Sequence, residues 1–161
     1  MKLELTDMLT DCETELLSIK SIVDANPLDS TTKYLNKYSI IKACGTIEFV
    51  FKSIIANYFD RSPMSQVHFF INKNIRESSA NPKYDKICSI LKTYDPVWCE
   101  TFKNSVSADA KAGRIKTSLE SLVEQRNAFA HGKNTTATIA NIYDYYSDAV
   151  IILHYLDSAV V

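Results

Sequence analysis

The chain has few of the residues that make tight turns, and neither sign of charge is in excess. Its 161 residues include 3 glycines and 4 prolines, whereas a β-sandwich or barrel needs many tight turns. We therefore expect long helices joined by few loops. Lys and Arg number 18 against 19 Asp and Glu, so the chain is not a protein that coats nucleic acid through bulk positive charge. Local binding of one or two phosphates is still compatible with this balance.

The four cysteines form no C-x-x-C pair, and no spacing to the three histidines suits zinc. The N-terminal residues include acidic side chains, where a signal peptide needs an uninterrupted apolar segment. No stretch approaches the ~18 apolar residues of a membrane span. We therefore expect buried, reduced thiols in a cytoplasmic protein that has no membrane association, no metal and no cofactor.

Hydrophobic periodicity predicts an all-α fold, a single-domain bundle covering residues 1–161. Two long antiparallel helices come first, short helices fill the middle third, and a hydrophobic helix ends the chain. Ser62-Pro63 and Asp95-Pro96 each predict a cap followed by proline at the first helical position. Gly132 is expected to end the penultimate helix. The predicted helices lie at about 3–23, 32–59, 62–75, 84–93, 111–131 and 138–159, with a further short piece after Pro96.

The last predicted helix is apolar on two sides. Besides its main stripe, Tyr145, Ile152 and Tyr155 form a second apolar patch. Such a helix either lies deep in the bundle or also meets a partner chain. We expect the second patch to belong to a two-fold dimer interface, together with the end of the preceding helix.

The most distinctive segment is residues 126–132, in which an arginine and a histidine are separated by four residues. At 100° per residue, Arg126 falls within the apolar stripe of its own helix, where an arginine is rarely left unpaired. Arginine offers a permanently charged fork for phosphate oxygens, and histidine titrates near neutral pH. Arg126, Asn127 and His131 thus combine a phosphate-binding cation, an amide and a group for proton transfer.

Helical geometry limits how these residues can act together. Asn127 and His131 share a face, whereas Arg126 and His131 diverge by about 140°. The two would converge only if the helix loosens at Gly132, or if a facing copy of the motif contributes. A dimer would also provide two histidines, one for each proton transfer, so we expect dimerisation.

The Arg126-Asn127-x-x-x-His131 segment resembles the R-x(4–6)-H signature of the HEPN superfamily. The helix order is also similar, with two long N-terminal helices, the motif late in the chain and a closing hydrophobic helix. The resemblance implies a homodimeric, metal-independent endoribonuclease that leaves 2′,3′-cyclic phosphate ends. It also implies a toxin or anti-phage defence effector, with a neutralising antitoxin or another defence-system partner. Arg126, Asn127 and His131 would be its catalytic residues.

Glu48 is expected to support this site. It lies on the stripe of the second helix and needs a positive partner. Arg126 is the obvious candidate, although Lys52 could pair with it at i,i+4.

Two further interpretations stay open at this point. Arg126 and Glu48 could form a purely structural ion pair, with His131 as a polar residue at a helix end. The alternative function is a catalytically inactive helical module that binds a partner protein or a nucleotide. A basic patch at Lys73, Arg76, Lys83 and Lys86 is expected to be a solvated surface.

Overall fold

The computed structural model describes all 161 residues, and the chain forms seven α-helices with no strands. One π-helical turn, Asn72–Arg76, follows α3. The predicted all-α class is therefore confirmed. The helices are α1 (Leu3–Ala25), α2 (Thr32–Phe59), α3 (Ser65–Ile71), α4 (Tyr84–Tyr94), α5 (Pro96–Ala108), α6 (Ala112–Ala130) and α7 (Ile139–Ala159).

Helices α2 and α7 form the centre of the bundle. α7 contacts α1, α2, α5 and α6, and α2 also contacts α1, α3 and α6. All the buried apolar side chains belong to one continuous core, as expected of a single-domain bundle. No helix is both long enough and apolar enough to cross a membrane.

The long helices pair in an antiparallel manner. Leu5, near the start of α1, lies beside Ile54 near the end of α2. Glu15, further along α1, binds Lys42 at 2.8 Å. The hairpin of α6 and α7 is similarly closed by Arg114 Nε, which donates to Asp148 Oδ2 at 2.8 Å. Contacts of Arg126 with Glu48 and of Phe129 with Lys37 place the end of α6, which carries the motif, against the first two-thirds of α2.

Side-chain caps mark the starts of α5 and α7. Asp95 caps α5, with its side chain accepting from the Val97 amide at 2.7 Å, and Pro96 is the first helical residue. Thr138 caps α7 in a capping box with Asn141. The predicted cap at Ser62 is wrong, because α3 begins only at Ser65.

Three expectations on packing need correction. α5 is a full helix of 13 residues, not a short piece. The apolar spacing of α2 predicts that Ile41 faces the core, but it is 41% exposed because it lines an open groove between α1 and α2. Ile152, at the centre of the second α7 patch, is fully buried. The Tyr155 hydroxyl donates to Asp109, which follows α5. The chain itself therefore buries the centre of this patch, while Tyr145 and Tyr155 are half-buried.

Candidate active site

The motif helix ends in a Schellman cap that fixes the position of His131. The Gly132 amide donates to the Phe129 carbonyl at 2.9 Å, and the Lys133 amide donates to the Ala128 carbonyl at 2.8 Å. Gly132 has φ of +72°, a left-handed conformation that L side chains rarely adopt. The histidine is therefore held at the last position before the chain leaves the helix.

The Arg126 guanidinium lies in the cleft between α6 and α2. Its Nη2 donates to Glu48 Oε2 at 3.3 Å, so the predicted pair between these two residues is present. Its Nη1 donates to Asn81 Oδ1 at 2.9 Å and to Asn127 Oδ1 at 3.2 Å. An arginine carries five N–H donors. Nε–H and one Nη2–H therefore have no acceptor within the chain, and the side chain is 33% exposed.

Glu48 also pairs with Lys52, so the two partners considered from sequence both contact it. Lys52 Nζ donates to Glu48 Oε1 at 2.5 Å, and the lysine side chain is 8% exposed. The same ammonium donates to the Ser78 carbonyl in the segment before α4. Two cations and one carboxylate leave the cluster with one net positive charge, which favours an anion in the cleft.

Burial dominates the chemistry of the nearby thiol. Removal from water raises the pKa of Cys44 to about 12, although the Arg126 charge opposes the shift. The group is therefore a neutral thiol at physiological pH. All four cysteines are buried and unpaired, as the sequence predicted for thiols in the core.

His131, the last residue of the motif, stands at the C-terminal cap of α6. It is exposed, and its imidazole makes no hydrogen bond within the chain. Its amide still donates to the Asn127 carbonyl at 3.0 Å, but its own backbone, with φ of −93° and ψ of 16°, has already left the helical conformation. Lys37 of α2 contacts this last turn of α6, with its Nζ 5.7 Å from the centre of the Phe129 ring.

Sequence reasoning missed two residues that shape the site. Asn81 carries no sequence signal of such a role, yet it contacts Arg126. Gln125 was not considered. Its Oε1 accepts from the Thr136 amide at 3.1 Å and the Ala137 amide at 3.4 Å, which anchors the loop after His131. No local pattern marks either contact, because both partners lie more than ten residues away in the chain.

Two other groups of residues offer no competing site. Nowhere in the chain do three His, Cys, Asp or Glu side chains come together in a way that could hold a metal ion. Most of the expected basic patch is neutralised by acidic partners: Lys73 by Glu77, Arg76 by Asp60, and Lys83 by Glu120 and Glu124.

Comparison with protein families gives one match, to RiboL-PSP-HEPN, over residues 7–161. The chain belongs to this HEPN family. The match includes every helix of the bundle and all the site residues, and it confirms the resemblance drawn from the motif. Comparisons with curated proteins and with solved structures found no match. Membership of the HEPN superfamily is consistent with a nuclease-like helical domain.

Proposed function

We propose that this HEPN domain is a metal-independent endoribonuclease. The observation that carries the proposal is the Arg126 guanidinium, held in the α2–α6 cleft with two N–H donors free. An arginine fork matches the oxygens of a phosphodiester. His131 lies at the end of the same helix and is open to solvent. A purely structural arginine would be expected to use more of its donors within the chain.

The reaction needs only groups that this chain supplies. One imidazole removes the proton from the ribose 2′-hydroxyl, whose oxygen then forms a bond to phosphorus. The bond from phosphorus to the 5′ oxygen breaks, and a protonated imidazole supplies the proton to that leaving oxygen. Arg126 stabilises the negative charge of the phosphorane-like transition state, and Asn127 orients the guanidinium. The products are a 2′,3′-cyclic phosphate and a 5′-hydroxyl.

Two imidazoles, one as base and one as acid, are best supplied by a homodimer. The centre of the α7 patch is buried within the chain, but the outer face of α2 offers another surface. Tyr34, Tyr38, Ile41 and Phe49 project from it, spaced by four, three and eight residues, and are 41–61% exposed. Gly45 lies among them with open space where a Cβ would be, so a second helix could approach closely.

We place a second copy of this chain on that face. Glu48 of the site directly precedes Phe49, so an isologous contact here brings two motif-bearing clefts near one another. The resemblance to HEPN toxins further supports a role as a toxin or anti-phage defence effector, with a neutralising antitoxin or a defence-system partner.

The decisive experiment incubates the purified protein with total RNA in EDTA and maps the ends of the products. We expect cleavage to persist and to leave 2′,3′-cyclic phosphates, because the site has no ligand set for a metal. His131→Ala should abolish cleavage and keep the fold, since this side chain contributes nothing to the core. Activity that requires Mg²⁺ would overturn the mechanism. RNA left intact by the wild type would instead favour a catalytically inactive binding module.

The dimer surface has its own test. Gly45→Arg and Phe49→Glu should each give a monomer by light scattering at micromolar concentration, with loss of cleavage. Phe69→Glu is a matched control, because Phe69 is 68% exposed on α3 and lies outside this face. A wild-type monomer that cleaves RNA at full specific activity would contradict the composite site.

A further inference from the structure

The segment between the π-helical turn and α4 is fixed against the candidate site from both ends. Lys52 of α2 donates to the Ser78 carbonyl, and Arg126 of α6 donates to Asn81. Ala80 and Pro82, on either side of Asn81, are both buried. The residue before a proline is restricted to extended conformations. The Asn81 side chain is therefore held in place before any ligand arrives.

Asn81 and Asn127 together occupy both protons of Arg126 Nη1. Glu48 occupies one proton of Nη2. With one terminal nitrogen fully engaged, the guanidinium plane cannot rotate without breaking two hydrogen bonds. The two free donors, on Nε and Nη2, therefore keep a fixed direction.

The chemistry of the acceptor is also significant. An amide oxygen accepts a hydrogen bond without cancelling the positive charge of the donor, whereas a carboxylate would cancel it. Glu48 already divides its charge between Lys52 and Arg126. A second carboxylate at position 81 would reduce the net charge of the cluster from one positive to zero.

We propose that Asn81 is a positioning residue, which holds the Arg126 guanidinium in the orientation for an RNA phosphate and leaves its charge uncompensated. This inference rests on the proposed endoribonuclease function. The loop Ser78–Asn81 is then part of the phosphate site, and Asn81→Ala and Asn81→Asp should have different effects.

The test compares Asn81→Ala and Asn81→Asp, with Asn104→Asp as control. Asn104 is exposed on α5, and its change to aspartate alters the overall charge identically. Steady-state cleavage gives kcat and KM. Equilibrium binding of a fluorescent mixed-sequence RNA oligonucleotide is measured across a salt series, with each change placed in the His131→Ala background to prevent cleavage.

Asn81→Ala should lower kcat by about ten- to a hundredfold through misplacement of the guanidinium, with an unchanged salt dependence of binding. Asn81→Asp should weaken RNA binding about tenfold, as expected for loss of one charge-assisted contact. It should also reduce the slope of log K against log salt by about 0.7, the value for one phosphate on a single strand. The Asn104→Asp control should match the wild type in both assays.

Equal effects of the two substitutions, with an unchanged salt slope, would overturn the proposal and leave Asn81 with a structural role. Asn81→Ser is included so that an unfolded aspartate variant does not end the test, and it should behave like Asn81→Ala. The underlying function is tested separately by Arg126→Ala. If the wild type leaves RNA intact, the proposed function itself fails, and if Arg126→Ala leaves binding and cleavage intact, the role proposed for Arg126 in that function fails. If it abolishes both while the Asn81 variants match the wild type, only the role of Asn81 is rejected.

Discussion

Replacing Glu48 by glutamine tests how strongly the ion pairs between α2, α6 and the loop before α4 stabilise the bundle. Glu48 binds Lys52 at 2.5 Å and Arg126 at 3.3 Å. Removing one partner of a fully buried ion pair costs about 3–5 kcal/mol, whereas an exposed pair contributes about 0–1 kcal/mol. The Glu48 and Lys52 side chains are 17% and 8% exposed, but Arg126 is 33% exposed. The cluster is therefore not fully dry.

From these exposures we expect Glu48→Gln to lower the free energy of unfolding by about 2–3 kcal/mol. Most of the loss comes from Lys52, whose buried ammonium loses its carboxylate partner and keeps only neutral acceptors. For a domain of this size the melting temperature should fall by about 4–12 °C. The single amide oxygen cannot serve Lys52 and Arg126 as the two carboxylate oxygens do, so Arg126 is held less firmly and cleavage should decrease. Urea unfolding followed by far-ultraviolet circular dichroism gives the stability change.

A matched control is available within the chain. Glu77 pairs with Lys73 at the same i,i+4 spacing, but both side chains are 57% exposed. Glu77→Gln should therefore cost less than about 0.5 kcal/mol. If the two glutamine variants unfold at the same urea concentration, the Glu48 cluster is screened by solvent, and the reasoning from burial is refuted.

Three further outcomes follow from the same structure. Gly132→Ala should lower the free energy of unfolding by about 1–2 kcal/mol, because a side chain at φ +72° is strained, and it should impair cleavage by shifting His131. An unchanged free energy of unfolding in urea would refute the strain. Asp148→Ala should lower the free energy of unfolding by about 1–3 kcal/mol, because the buried Ser118 hydroxyl, which donates to Asp148 at 2.7 Å, loses its acceptor. RNA binding should be unaffected, and its loss would contradict a purely structural role for Asp148. Because burial raises the pKa of Cys44 to about 12, iodoacetamide at pH 8 should label this thiol only in urea. Modification of Cys44 in the native protein, detected by mass spectrometry, would contradict its burial.

The sequence alone determined the helices and the residues of the motif, because these depend on local interactions. Asn26-Pro27 and Gly132 stop helices through the backbone of neighbouring residues. An i,i+3 and i,i+4 apolar pattern is visible without knowledge of the partner helix. The pair between Glu48 and Arg126 could also be anticipated, since each charge lies in an apolar stripe and needs an opposite charge.

Tertiary structure alone decided which surfaces meet and which polar groups share the site. Asn81 reaches Arg126 across 45 positions of the chain, and Lys52 reaches the Ser78 carbonyl across 26. The second apolar face of α7 could have been satisfied by a partner chain or by this one, and packing within the chain buries Ile152 at its centre. The periodicity of apolar residues indicates that a side chain must be buried, but packing over the whole bundle determines which helix buries it.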